Sequence, residues 1–122
     1  MDFLQHLNEN HKFKTANGQR YFNTITFSKG WIELSIQGSN CHNCLDYGTF
    51  DKEEYECFEV AIYVDGRLTS GIDLMDDKLF DKIRPYYKNY GFDYLPKVFI
   101  EELFQEFSIK YGLDQEEKNP TT

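Results

Sequence analysis

Cysteine and histidine residues are the first candidates for chemistry, because Cys41 and Cys44 have the spacing of one half of a zinc site. A closed site would need Cys57 and His42 as its remaining ligands. Cys57, however, stands alone in a predicted strand, and His42 lies between the first two ligands. The C-x-x-C spacing supports redox chemistry when it lies at a helix N-terminus that follows a strand. Here it lies in a loop rich in Gly, Ser and Asn, so the redox interpretation is not favoured. The pattern favours ordinary loop cysteines over zinc, and we predict no cofactor.

Other catalytic patterns are missing from the sequence. The three histidines are scattered, no Ser or Cys has a recognisable catalytic base beside it, and there is no glycine-rich phosphate loop. The run Asp73-x-x-Asp76-Asp77 lacks the spaced acids and the glycine of a calcium loop, and it is typical of a helix start. These observations favour a protein that is not an enzyme.

The most informative feature is an acidic segment, residues 46–81. It holds eleven acidic and three basic side chains, a net charge of −8, whereas the other 86 residues hold ten of each. Such a segment repels a polyanion, so direct nucleic-acid binding is not expected. Two interpretations remain: a solvated face that keeps the protein soluble, and a surface that steers toward a basic partner.

We predict that this acidic segment contacts a basic protein. Along a strand, residues two apart stand about 6.7 Å from one another. This is close to the spacing of phosphates along a nucleic-acid strand. We therefore expect Glu54 and Glu56 together to imitate the phosphate backbone of a nucleic acid. The predicted partner-binding residues are Asp46, Asp51, Glu53, Glu54, Glu56, Glu59, Asp73, Asp76, Asp77 and Asp81.

In size, acidity, aromatic content and lack of a catalytic motif, the chain is similar to the small acidic inhibitors of phages and mobile elements. Those proteins act against nucleic-acid-binding defence enzymes, in anti-CRISPR or anti-restriction fashion. The resemblance is one of class, with no motif shared residue for residue. It implies a non-enzymatic nucleic-acid mimic that occludes the basic nucleic-acid-binding surface of a partner enzyme.

Aromatic residues support an alternative function. Trp31, Tyr86, Tyr87 and Tyr90 are candidates to line a pocket between sheet and helices, and concave aromatic-lined sites commonly hold ligands. The alternative is therefore a small-molecule-binding or enzymatic domain, for which the sequence supplies no candidate reaction.

Length and composition set the frame for these sites. A chain of 122 residues with 40% hydrophobic and 17% aromatic side chains predicts one globular domain over residues 1–112, followed by a flexible polar tail, 113–122. No apolar run reaches the length of a membrane span and the N-terminus lacks the pattern of a signal peptide, which predicts a cytoplasmic protein without membrane contact.

Hydrophobic periodicity predicts the elements that must position these residues. A period of two indicates strands over 20–27, 31–37 and 54–64, and Asp65-Gly66 indicates a hairpin with a return arm over 67–74. Helical spacing indicates a short helix over 2–9, another over 78–84 with helical structure continuing toward Gly91, and the strongest helix after Pro96. The predicted fold is α+β: an antiparallel sheet of four to five strands packed against C-terminal helices, with a short N-terminal helix.

Overall fold

The computed structural model describes residues 3–8, 22–38 and 55–114. In chain order the elements are a 3₁₀ helix Phe3–His6, strands β1 Ile25–Thr26, β2 Ile32–Gln37, β3 Cys57–Val64 and β4 Arg67–Thr69, helix α1 Asp77–Ile83, a 3₁₀ helix Arg84–Tyr86, strands β5 Tyr87–Lys88 and β6 Gly91–Pro96, and helix α2 Lys97–Tyr111.

Within the described ranges, six strands form one antiparallel sheet in the order β1-β2-β3-β6-β5, and β4 pairs with β3 off this path. β2 pairs with β3 from Glu59 to Val64, and β4 and β6 share the other edge of β3. The α+β class, the antiparallel sheet and its C-terminal helices are confirmed. The described residues contribute six strands to the sheet, where the sequence predicts four to five, and the N-terminal helix is a single 3₁₀ turn.

Alternation along β2 and β3 decides which face of the sheet is buried. Ile32, Leu34 and Ile36 are buried on β2, as are Phe58, Val60 and Ile62 on β3. Because successive side chains of a strand point to opposite faces, the residues between them lie on the other side. We call the buried side the inner face and the side turned away from the helices the outer face.

The inner face packs against the apolar stripes of the helices. Helix α2 follows Pro96 and ends at Gly112, whose φ of 75° suits a glycine at a helix C-terminus. Its side chains Ile100, Leu103, Phe104 and Phe107 are all buried, as the helical spacing predicts. The largest fully buried side chains of the core are Phe3, Phe58, Phe92, Phe104, Phe107, Ile32, Leu34, Ile36, Ile62, Ile83, Leu95 and Ile100.

The last described residues complete the sheet beside β1. Leu113 forms a β-bridge with Phe27, and the Asp114 amide donates to the Thr26 carbonyl oxygen at 3.0 Å. The Ser28 amide donates to the Gly112 carbonyl oxygen at 2.7 Å. Two residues assigned by sequence to the tail, Leu113 and Asp114, therefore pair with the sheet, while 115–122 lie outside the described residues.

The segment between α1 and α2 differs from the helical prediction. After Ile83 a 3₁₀ turn leads into the hairpin of β5 and β6. Pro85 accounts for the end of α1, since a proline cannot continue an α-helix without losing a hydrogen bond. Among the described residues no helix has the length and apolar character needed to cross a membrane.

Candidate functional site on the outer face of the sheet

Glu59 lies on the outer face, in the middle of the central strand β3. Its neighbours in sequence, Phe58 and Val60, are fully buried on the inner face, so the Glu59 side chain points the other way. In the β2–β3 register Glu59 is opposite Gln37, and Ala61 is opposite Ser35. Cross-strand partners share a face, which places these four side chains together.

These residues form the floor of a shallow cavity, which we call the trough. Its volume is about 310 Å³, at the low end of the roughly 300 to 1,000 Å³ of ligand pockets. Among the described residues that line it, Glu59 is the only charged one. The lining residues are Ser35, Gln37, Glu59, Ala61, Tyr63, Leu68, Asn89, Tyr90 and Gly91.

A β-bulge between β3 and β6 places a second carboxylate beside Glu59. Phe58 is paired with Leu95 and Val60 with Phe92, so the single residue Glu59 faces two residues of β6, Asp93 and Tyr94. A bulge of this kind re-aims side chains and needs an unusual backbone conformation on the longer strand. Tyr94 supplies it with a φ of 58°.

One wall of the trough is a tight turn of unusual composition. Lys88 pairs with Gly91, so Asn89 and Tyr90 form a two-residue hairpin loop in which both φ angles are positive, 54° and 74°. The second position of such a turn is commonly glycine, and a side chain there costs about 1–2 kcal/mol. Tyr90 occupies it with 69% of its surface exposed.

The Glu59 carboxyl lacks a counter-charge in the described part of the chain. None of the ion pairs found there involves this residue. Partial burial raises its pKa above the ordinary value of 4.5, and the nearby negative charge of Asp93 raises it further. The site is therefore a half-buried acid, beside a second acid, in a cavity with tyrosine walls.

Removing the charge of Glu59 is expected to change how stability depends on pH. In the folded protein Glu59 keeps its proton to higher pH than in the unfolded chain, so the free energy of unfolding falls as the pH rises from 4.5 through the raised pKa. Glu59→Gln is expected to have a higher melting temperature than wild type at about pH 7. At about pH 3 the two melting temperatures are expected to be equal, because both side chains are neutral at that pH.

Thermal unfolding of both proteins across this pH range measures the effect. Asp93→Asn removes the smaller of the two causes of the raised Glu59 pKa. This substitution is expected to reduce the Glu59-dependent difference in melting temperature between about pH 3 and about pH 7 without abolishing it. A Glu59→Gln variant that melts below wild type at neutral pH would show that the carboxylate stabilises the fold instead.

The structure distributes the predicted partner-binding acids over different surfaces. Glu59 lines the trough on the outer face, and Glu56 is exposed directly before β3. Four further acids are exposed in the segment that leads into α1 or on that helix, in the helical layer: Asp73, Asp76, Asp77 and Asp81. The other predicted acids lie outside the described residues: Asp46, Asp51, Glu53 and Glu54.

Asp76 has cationic and acidic neighbours that the sequence does not indicate. Lys110 of α2 lies 3.2 Å from the Asp76 carboxylate and 3.0 Å from that of Glu106, and both contacts raise the pKa of Lys110. The Asp76 amide also donates to Glu106 Oε2 at 2.6 Å. Asp76 is thus partly neutralised and connects the start of α1 to α2, in contrast to Glu59.

The four aromatic residues of the alternative pocket have three different surroundings. Trp31 is 78% exposed and lines a separate hollow of about 400 Å³ with Asp65 and Gly66. Two of the tyrosines pack against phenylalanines: the Tyr86 ring lies 6.0 Å from that of the partly buried Phe99, and the Tyr87 ring 5.0 Å from that of the buried Phe92. Among the four, Tyr90 lines the trough.

Of the candidate zinc ligands, the structure describes Cys57. It is 3% exposed in the core and pairs with Pro96 across β3 and β6. Cys41, His42 and Cys44 lie outside the described residues. Within the described ranges, no group of three or more His, Cys, Asp or Glu side chains could hold a metal ion.

Fold and site together define an α+β sheet-and-helix domain with an acidic, tyrosine-walled trough on its outer face. Comparison with models of protein families, with curated proteins and with solved structures finds no match. The functional conclusion therefore depends on the geometry of the trough.

Proposed function

We propose that this protein is a non-enzymatic binding module that docks a basic surface of a partner protein against the outer face of its sheet. The observation that carries the proposal is the half-buried Glu59 carboxyl beside Asp93, without a described cation near it. A positively charged partner supplies the missing counter-charge and relieves the repulsion between the two acids.

Neighbouring residues support an interface larger than the trough. Glu33 is paired with Tyr63 across β2 and β3 and lines the hollow next to Trp31, so the two cavities adjoin on one face. Exposed aromatic side chains such as Trp31 and Tyr90 are typical anchors of protein interfaces. This face combines aromatic rings with acids, a combination that suits a partner rich in Arg and Lys.

Panning of a random peptide library against the immobilised full chain tests the proposal. The enriched peptides are expected to be rich in Arg and Lys and to dissociate at about 0.5 M salt, because salt screens charge pairs at an exposed interface. Glu59→Lys is expected to weaken their binding at least about tenfold, which corresponds to 1.4 kcal/mol. Asp81→Lys is the matched control, since it reverses one exposed charge on the helical layer, and it should retain binding.

Two outcomes contradict the proposal. One is enrichment of peptides with no excess of basic residues and no sensitivity to salt. The other is equal weakening by Glu59→Lys and Asp81→Lys, which would assign binding to the net charge rather than to the outer face.

The net charge of −8 in residues 46–81 supports a more specific form of the proposal: an inhibitor that occludes the nucleic-acid site of a basic enzyme. For a basic partner obtained with the full chain as bait, this form predicts that double-stranded DNA and the protein exclude one another. A stable ternary complex contradicts it and leaves the binding module in place.

The raised pKa of Glu59 favours one second candidate, a domain that binds or transforms a small cationic molecule. A carboxyl group that holds its proton longer, in a cavity beside tyrosines, is also suited to general acid catalysis. A thermal-shift screen with cationic metabolites separates the two. Stabilisation by a small molecule and failure to enrich basic peptides would favour the second candidate.

A further inference from the structure

The trough has the shape and size of a site for one side chain. It is a hollow of about 310 Å³ rather than a flat acidic patch, and one carboxylate is the only charge among the nine described residues that line it. The apolar wall residues Ala61 and Leu68 can contact a methylene chain, and Leu68 is 47% exposed. An occupant with one positive charge on a short apolar stem fits this distribution.

The Gln37 side chain is satisfied within the trough, whereas no hydrogen bond or ion pair in the described part of the chain involves the Glu59 carboxylate. The Gln37 side chain accepts from the Phe22 amide at 2.8 Å and donates to the Phe22 carbonyl oxygen at 2.9 Å and to Ser35 Oγ at 3.2 Å. Gln37 is also 8% exposed, so this part of the floor is fixed and satisfied. The Glu59 carboxylate therefore has acceptor capacity left for a partner.

The walls distinguish between the two cationic side chains of proteins. A guanidinium group is planar, stacks on aromatic rings, is weakly hydrated and binds a carboxylate through two parallel hydrogen bonds. An ammonium group is a strongly hydrated point charge, whose dehydration in a half-buried site is more costly. Tyr63 and Tyr90 provide the rings, and Glu59 provides the carboxylate.

We infer that the trough receives the side chain of a single arginine of the partner, with its guanidinium against the Glu59 carboxylate and its methylenes along Ala61 and Leu68. The inference rests on the proposed function and names the residue that the outer face recognises. It also explains why a tyrosine occupies the strained second position of the Asn89-Tyr90 turn, where glycine would be more stable.

NMR titration of the full chain with N-acetyl-arginine methylamide tests the inference, with the lysine and citrulline derivatives as comparisons. Citrulline has the shape of arginine without its charge. The arginine derivative is expected to bind at least about fivefold tighter than the lysine derivative, and citrulline is expected not to saturate below about 100 mM. The shift changes are expected around Glu59, Ala61 and the 89–91 turn.

Two variants separate recognition from folding. Glu59→Gln is expected to weaken binding of the arginine derivative at least about tenfold. Tyr90→Gly is expected to weaken it several-fold while it raises the melting temperature, because glycine adopts the turn conformation without strain. A merely structural role for Tyr90 predicts the opposite change in melting temperature. Asp81→Asn, on the helical layer, is expected to leave binding unchanged.

Three results overturn the inference: equal binding of arginine and citrulline, equal binding of arginine and lysine, or no saturation by arginine at about 100 mM. If basic peptides that depend on Glu59 are nevertheless enriched by panning, the proposed function stands and only the arginine assignment fails. If no basic peptide is enriched, the proposed function fails as well.

Discussion

Phe58→Ala is expected to lower the free energy of unfolding by about 4 kcal/mol and the melting temperature by roughly 15 °C. Phe58 is fully buried, and its ring lies 5.8 Å from that of Phe3 and 5.3 Å from that of Tyr55. Its removal leaves a cavity at the junction of the N-terminal 3₁₀ turn with the central strand. Because Phe58 precedes Glu59 on β3 and its side chain points to the inner face, the loss also affects the strand that forms the floor of the trough.

Chemical denaturation followed by circular dichroism measures this change. Val98→Ala, at a 61% exposed position on α2, is the matched control and is expected to stay within about 0.5 kcal/mol of wild type. A Phe58→Ala protein that unfolds within about 1 kcal/mol of wild type would show that this part of the core repacks around the missing ring.

The second large effect is expected at Gly71, where alanine should cost about 3 kcal/mol. Gly71 has a φ of 78°, a conformation that L side chains rarely adopt. A Cβ there would also lie 2.7 Å from Ile62 Cδ1 and 3.0 Å from Met75 Cε, so those side chains would have to move. Backbone strain and overpacking therefore add at this position.

Gly66 isolates the backbone contribution. It has a φ of 79°, and a Cβ at this position meets no atom within 4 Å. Gly66→Ala is therefore expected to cost only about 1–2 kcal/mol, the strain alone. Equal destabilisation by the two substitutions, measured by denaturant unfolding, would contradict the overpacking at Gly71.

Periodicity predicts the parts of the fold in which each apolar residue faces one core. The alternation of β2 and β3 and the stripe of α2 have this property, and the Asp65-Gly66 turn has the positive φ angles that its dipeptide favours, 53° and 79°. In these segments local preference and tertiary packing agree, so the sequence alone predicts the structure.

The β5–β6 hairpin escapes prediction for two physical reasons. Its turn, Asn89-Tyr90, has no glycine at the second position, so the usual signal is missing. The bulge at Asp93 and Tyr94 also places the buried residues Phe92 and Leu95 three apart instead of two, a spacing that resembles a helix. The local sequence here favours a helix, whereas pairing with β3 imposes a strand.

The candidate site is predictable only in part for the same reason. Glu59 is recognisable in the sequence as one acid among many. What sets Glu59 apart from the other acids is its neighbour Asp93. Asp93 is 34 positions further along the chain, and the bulge places it beside Glu59. A register between distant strands is set by tertiary packing, and it cannot be inferred from the spacing of acids within one segment.

The sheet is covered by α2 and paired at the β1 edge by residues 112–114, both of which follow the strands in the chain. This order has a consequence for synthesis of the protein. Strands β1 to β4 are made before α2, so a growing chain presents the apolar inner face, with Leu34, Ile36 and Phe58, while the helix that covers it does not yet exist. The bonds between Ser28 and Gly112 join residues 84 positions apart, so the edge beside β1 closes later still. Exposed apolar surface and unpaired strand edges promote aggregation and recruit chaperones. The ribosome-bound chain is therefore most vulnerable until residues 97–114 have emerged.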